Sequence, residues 1–380
     1  MKTRYFDYAA ATPMDETVLH KMLPYYSELF YNPSATYLAA QSVRKDLEAA
    51  RLMIGGIIGS RKTEIVFTAG GTEANNLAIQ GVMRQFPEGN IVVSSIEHDS
   101  VLQTAALFRS RQAPVMPNGI IDVEALLAAI DDKTVLVSVM YANNEVGTIQ
   151  PIRTIATRLE AVRRARRNSR NTMPLYLHTD AAQAAAYMDL HVARLGVDLM
   201  TVNGGKIYGP KQSGLLFVSS RLHLQPIIVG GGQERGLRSG TENVAAVVGL
   251  ATALQLVQDR RHDESLRLRQ LQGLFLELIA GRLPNAVVNG VRAPRLPNNV
   301  HITLPGQDNE RILFQLEEQG ILAAAGSACS ASSEEPSHVL KAMGLSREDA
   351  QASLRFTMGL QTEEADIPIV VDILERILKK

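Results

Sequence analysis

Short apolar runs rich in β-branched residues alternate along this chain with longer segments of helical spacing. EIVFT (64–68) precedes a helix expected from about Thr72, and NIVVSS (90–95) precedes one from about Ser100. TVLVSVM (134–140) precedes a helix near 151–167, and PLYLHT (174–179), DLMTVN (198–203) and SGLLFVS (213–219) follow. Buried strands of this length, separated by helices, predict α/β crossovers and a mainly parallel sheet. Such sheets bind ligands beyond the carboxyl ends of their strands. Polar residues collect at those ends: Gly70, Gly71 and Thr72, then His98, Asn143 and Asn144, Asp180 and Lys206.

A long helical stretch, about 242–282, leads into a second lobe. That lobe holds VVNG (287–290), VHITL (300–304), a helix near 308–319, SLRFTM (353–358) and a closing helix over 363–378. The 380 residues exceed what one hydrophobic core usually supports, so two lobes are expected. No repeat, low-complexity segment or long Pro/Gly/Ser linker interrupts the chain, so the lobes should pack tightly.

Composition narrows the picture. The chain is 46% apolar and 21% charged, with 39 basic and 39 acidic residues. That balance gives no overall pull toward nucleic acid or an anionic membrane. The run RRARR (163–167) falls late in a helix and reads as a solvated face rather than an anion site. No signal-peptide core and no apolar run of membrane-spanning length occurs, so a soluble, cytoplasmic protein is expected. The chain has one cysteine, Cys329, so no disulfide framework or metal cage is expected. It sits in AGSACSASSEEPS, among small and hydroxyl residues that offer little to pack a thiol against. Attack, group transfer and an inert accident all remain open for it.

The strand-end residues each carry two readings. Lys206, amid the glycines of NGGKIYGPKQSG, suits a Schiff-base amine or a surface turn. Asp180 could hold a ring nitrogen protonated or cap a helix in AAQAAAY, with Gln183 one turn on. Gly70, Gly71 and Thr72 open a helix, giving a phosphate cradle or a tight turn. His98 could stack on a ring and shuttle protons, or serve as a cap. Arg355, between apolar neighbours, fits a substrate carboxylate clamp or an internal ion pair. Together the set matches what pyridoxal phosphate (PLP) chemistry on an amino acid requires.

These motifs resemble the class V aminotransferase family, and within it the cysteine desulfurases of the NifS/IscS kind. The resemblance runs from FDYAAATP (6–13) to SLRFTMG (353–359) through FTAGGTEANNLAI, IEHDSV, YANNEVGTIQP, HTDAAQ, GGKIYGPK, GGGQERGLRSGTEN and AGSACSASSEEPSHVL. It implies the PLP-dependent transferase fold (fold type I), with a large mainly parallel-sheet domain over 13–258. The small α+β domain would comprise 1–12 and 259–380 and carry the cysteine loop. It implies a Schiff base of PLP on Lys206, Asp180 at the ring nitrogen, and Gln183 and Asn144 near the ring hydroxyl. His98 would stack on the ring as acid/base, and Gly71, Thr72 and Asn203 would meet the phosphate. Thr241 would reach the phosphate of a neighbouring subunit, implying a homodimer. Arg355 and Asn144 would bind the substrate carboxylate, and Cys329 would accept sulfur from L-cysteine as a persulfide. A sulfur-acceptor protein, an iron–sulfur scaffold or a sulfur carrier, would follow. The alternatives are another class V activity (selenocysteine lyase or aminotransferase) or a non-catalytic partner protein retaining the fold.

Three departures stand out. Asn203 and Gly205 replace the serine and histidine usual before the lysine. NPSATYLA (32–39) has Leu38 where the family has histidine. The chain stops at Lys380, short of the longer tail expected to help dock a cluster scaffold.

Overall fold

A computed structural model describes residues 2–326 and 335–379. The chain opens with a two-residue strand, β1 (Arg4–Tyr5). Seven strands then build the large sheet: β2 (Ile65–Thr68), β3 (Asn90–Ser94), β4 (Ser110–Ala113), β5 (Thr134–Ser138), β6 (Tyr176–Asp180), β7 (Leu199–Asn203) and β8 (Gly214–Val218). Their spatial order is β2-β8-β7-β6-β5-β3-β4. The strands from β7 across to β4 are parallel, as the alternation of runs and helices predicts. The exception is β8, antiparallel to both β7 and β2. Only residues 204–213 join β7 to β8, too few for a helical crossover, so the chain must turn back on itself. That tight return contains Lys206.

Strands β2, β3, β5 and β8 are buried along their whole length, which is why they read as continuous apolar runs. β4 reads SRQA and is mostly exposed at the sheet's edge, so it carries no such signal.

The helix Val244–Arg282, 39 residues and about 58 Å long, joins two apolar cores. Its first part, including Leu250 and Leu254, packs into the core beneath the large sheet. Its later part, Leu268 to Ile279, packs against a second core with Val300, Ile302, Leu354 and Phe356. Those last four residues lie on two strands of a small antiparallel sheet of β9 (Val287–Val288), β10 (Asn299–Thr303) and β12 (Ser353–Thr357), with β10 at its centre. β1 pairs in parallel with β11 (Ile321–Leu322), so the N-terminus belongs to this second body.

The arginine run departs from a purely solvated face. Arg166 is buried and donates to the carbonyls of Met173, Pro174 and Asp131. Arg163 pairs with Asp198 at 2.5 Å and with the Leu175 carbonyl at 2.8 Å. These side chains tie the end of helix Ile152–Asn168 to the loops before β5, β6 and β7. No helix among the described residues is long and apolar enough to cross a membrane.

Candidate active site

One cavity of about 210 Å³ opens at the carboxyl ends of the large sheet. Every expected site residue except Thr241 and Cys329 lines it.

The wall formed by the helix Gly71–Met83 begins at Gly70, whose φ of 118° is left-handed and requires glycine. A β-carbon on Gly214 would lie 2.7 Å from the Gly70 backbone, so β8 passes flush beneath this turn. The helix's first N–H groups, at Gly71 and Thr72, lack intrahelical acceptors, and both residues line the cavity. The Asn203 amide lies beside them: a β-carbon on Gly71 would stand 3.4 Å from its Nδ2. Asn203 Oδ1 accepts the Gly205 N–H at 3.1 Å, capping the short turn Gly204–Lys206. Nothing crowds Gly205, where a β-carbon would stand 3.6 Å from Asn203 Oδ1.

Lys206 follows β7 directly. Its Nζ donates to the Ala9 carbonyl at 2.8 Å and the Ala10 carbonyl at 2.6 Å. Gln183 Nε2 donates to the same Ala9 carbonyl at 3.0 Å. The N-terminal FDYAAATP segment therefore crosses the cavity and is gripped by both.

Asp180 ends β6 and is buried. The helix that Asp180 would have capped in AAQAAAY does not form: residues 182–187 are successive turns. Asp180 Oδ1 instead accepts the Ala182 N–H at 2.9 Å, and Oδ2 accepts from Asn75 Nδ2 at 2.7 Å. Asn75 was not singled out from sequence, although it lies one turn beyond Gly71 on the same helix face. The same Nδ2 donates to Ser100 Oγ at 2.8 Å. Ser100 Oγ lies 2.8 Å from His98 Nδ1, and the Ser100 N–H donates to that nitrogen at 3.0 Å. His98 is thus both the N-cap of helix Asp99–Ala105 and a cavity residue, so its two sequence readings coexist.

Arg355 likewise satisfies both of its readings. It is buried on β12 and pairs with Asp7 Oδ1 at 2.6 Å. Its Nη1 donates to the Asn144 carbonyl at 2.9 Å, and the residue lines the cavity. Its Nε is buried without a hydrogen-bond acceptor. Glu97, beside His98, is wholly buried and accepts the Met140 N–H at 2.6 Å. Burial, with the nearby Asp180 charge adding to it, pushes the Glu97 carboxyl well above the usual carboxylate range.

Thr241 lies apart, with Arg238, Glu242 and Asn243, in a second hollow behind Ser213 and Gly214. Cys329 lies outside the described residues. The described chain on either side of it is anchored at the cavity. Ala324 exchanges backbone hydrogen bonds with Arg355 at 2.6 and 3.2 Å, and His338 Nε2 lies 2.9 Å from the Glu97 carbonyl.

The aminotransferase class-V family model matches residues 4–370. A cysteine desulfurase IscS of Clostridium botulinum is 39% identical over 388 aligned positions, covering 100% of this chain and 95% of its own length. A NifS-like protein of Rickettsia africae has a similar structure, with TM-score 0.88, 29% identity and 100% coverage of both chains. A structure described as SspA in complex with cysteine matches at TM-score 0.81 and 33% identity, over 94% of this chain and 99% of that one. By sequence over nearly its full length and by fold, this chain belongs to the class V aminotransferase family, alongside the cysteine desulfurases of the NifS/IscS kind.

Proposed function

We propose that this protein is a PLP-dependent cysteine desulfurase, converting L-cysteine to L-alanine and passing the sulfur to Cys329. The observation that carries this reading is the convergence of Lys206, Asp180, His98, Asn144 and Arg355 on one cavity. The residues suit the cofactor. An ammonium and a buried carboxylate share the cavity with a helix N-terminus and an aromatic ring nitrogen base.

Lys206 would hold PLP covalently, Asp180 would keep the ring nitrogen protonated, and His98 would stack on the ring. Gln183 and Asn144 would meet the ring hydroxyl. Gly71, Thr72 and Asn203 would bind the phosphate, with the Asn203 amide adding a donor that Gly205 lacks. When bound, the cofactor supplies an electron sink for the bond broken at the substrate α-carbon. Arg355 and Asn144 orient the substrate by its carboxylate. The Lys206 amine, which lines the same cavity, would remove the α-proton. The Cys329 thiolate would attack the substrate sulfur. The carbon–sulfur bond breaks with its electron pair left to the β-carbon, which takes up the proton given up by the substrate thiol. Alanine then leaves and a persulfide remains on Cys329. Cys329 is five residues beyond Ala324, a tether of at most about 18 Å from the strand that carries Arg355.

The reading extends to a homodimer in which Thr241 reaches the partner's phosphate. Its support is an exposed apolar stretch with Leu23, Tyr26, Phe30, Tyr37 and Leu38. It extends also to a protein that takes the persulfide sulfur, and to a division into domains at 258/259, between the two packed segments of the long helix.

The deciding experiment is a visible spectrum before and after adding L-cysteine, with alanine and sulfide measured under reductant. Cys329→Ser should still change the spectrum with L-cysteine yet release no sulfide. Sulfide release at the wild-type rate from that variant would remove Cys329 from the reaction.

A further inference from the structure

Asn75 and Ser100 lie between Asp180 and His98 and are assigned no part in the chemistry above. The hydrogen-bond directions along this chain are forced. Asn75 presents Nδ2 to Asp180 Oδ2 at 2.7 Å, because the amide oxygen would repel the carboxylate. Its second Nδ2 hydrogen goes to Ser100 Oγ at 2.8 Å. Having accepted there, Ser100 Oγ has its own hydrogen to give, and His98 Nδ1 lies 2.8 Å away. The Ser100 N–H, which can only donate, meets the same Nδ1 at 3.0 Å. Nδ1 is therefore an acceptor from two donors, and the proton of the neutral ring must sit on Nε2.

The arrangement has a cost. Asn75 Oδ1 is left buried with no hydrogen-bond donor. Flipping the amide would let that oxygen accept from the Ser100 hydroxyl but set it 2.7 Å from the Asp180 carboxylate, which can only repel it. An unsatisfied buried acceptor retained in this way marks Nδ2 as the group the site needs.

We infer that Asn75 and Ser100 are positioning residues that hold His98 as its Nε2–H tautomer and tie it to Asp180 as one unit. Within the desulfurase reading, on which this inference rests, His98 then begins the cycle as a hydrogen-bond donor at Nε2. It cannot begin as the base that removes the α-proton, since neither ring nitrogen has a lone pair at liberty: Nε2 carries the proton and Nδ1 is engaged by Ser100. An amide does not relay protons, so the chain orients His98 without connecting it to Asp180 as a wire.

The test combines nitrogen NMR with kinetics on the intact holo-protein. With 15N-labelled histidine, the His98 signals are identified by their loss in His98→Gln. They should show a protonated-type shift at Nε2 and an unprotonated-type shift at Nδ1. A protonated Nδ1 in the wild type overturns the inference, whatever the activity. Ser100→Ala and Asn75→Ala should each lower kcat for alanine formation about 10-fold, with KM for L-cysteine within about twofold. Because both act through one chain, the double variant should lose about 10–30-fold, not the product of the two. Ser100→Thr, which restores the hydroxyl, should recover most of the Ser100→Ala loss. Multiplicative losses, or no recovery with threonine, would also overturn it. If the protein makes no alanine from L-cysteine, the desulfurase reading fails while the nitrogen shifts still decide the tautomer.

Discussion

On the large-sheet wall of the cavity, the two charged groups that would hold a cofactor arrive already engaged. Both Asp180 oxygens accept hydrogen bonds, and Lys206 rests on two carbonyls. Around Arg355, in and behind the small-sheet wall, buried nitrogens are left over. Arg355 Nε, Arg295 Nη2 and His301 Nε2 are all buried without acceptors, and His301 is the direct cross-strand neighbour of Arg355. The first wall is assembled before any ligand arrives, as a site that must fix a ring should be. At the second, Arg355 lines the cavity with one donor still unpaired, which suits a wall that meets an anionic carboxylate only during turnover.

The largest way to break the contrast is at the engaged wall. Lys206→Ala should abolish alanine formation, about 10³-fold or more, and remove the visible band of the bound cofactor. Retained turnover would show that the amine is not the anchor. At the other wall, Arg355→Ala should lower kcat/KM for L-cysteine about 100-fold, chiefly through KM. It also strands Asp7, and should destabilise the fold by about 3 kcal/mol in urea titrations. An unchanged KM would assign Arg355 to the ion pair alone.

The buried histidines and the buried Glu97 should respond oppositely to pH. His301 is buried and its pKa is lowered to about 3, by desolvation first and then by Arg295 and Arg355. Below about pH 6.5 the unfolded chain takes a proton that the folded one refuses, so stability falls with falling pH. His301→Gln should spare about 2–3 kcal/mol of that loss between pH 6.5 and 4.5, read from urea midpoints. His178, on β6, falls to about 4 for the same reason of burial and should behave alike. Glu97 has the contrary sign. Its folded carboxyl binds its proton well above the usual range, so stability falls as pH rises from about 4.5, by up to about 1.4 kcal/mol per unit. Glu97→Gln should therefore be more stable than the wild type at pH 7 and equal to it below pH 4. An equal gain at both pH values would mean that packing, not ionisation, explains it.

Much of the molecule was legible in the chain because buried strands and amphipathic helices print their periods directly. The parallel strands of the large sheet, the long helix and the strand-end residues all follow from such signals. β4 escaped because an exposed edge strand needs no apolar run. The antiparallel course of β8 followed from loop length rather than from its own residues. A helix capped by Asp180 is one of two readings of AAQAAAY, yet Asp180 bonds the Ala182 N–H and residues 182–187 form turns instead. Asn75 and Asp7 stayed hidden because their roles depend on partners 105 and 348 positions away.

The sequence by itself determined the family, the α/β alternation and the identity of the residues that gather at the strand ends, because periodicity and motif order are local properties of a chain. Only the tertiary structure decided the directions: which nitrogen of His98 accepts, which carbonyls hold Lys206, and that Arg355 spends one arm on Asp7. Hydrogen bonds between distant residues are set by the packing of helices and strands against one another, and no local pattern encodes the angle at which they meet.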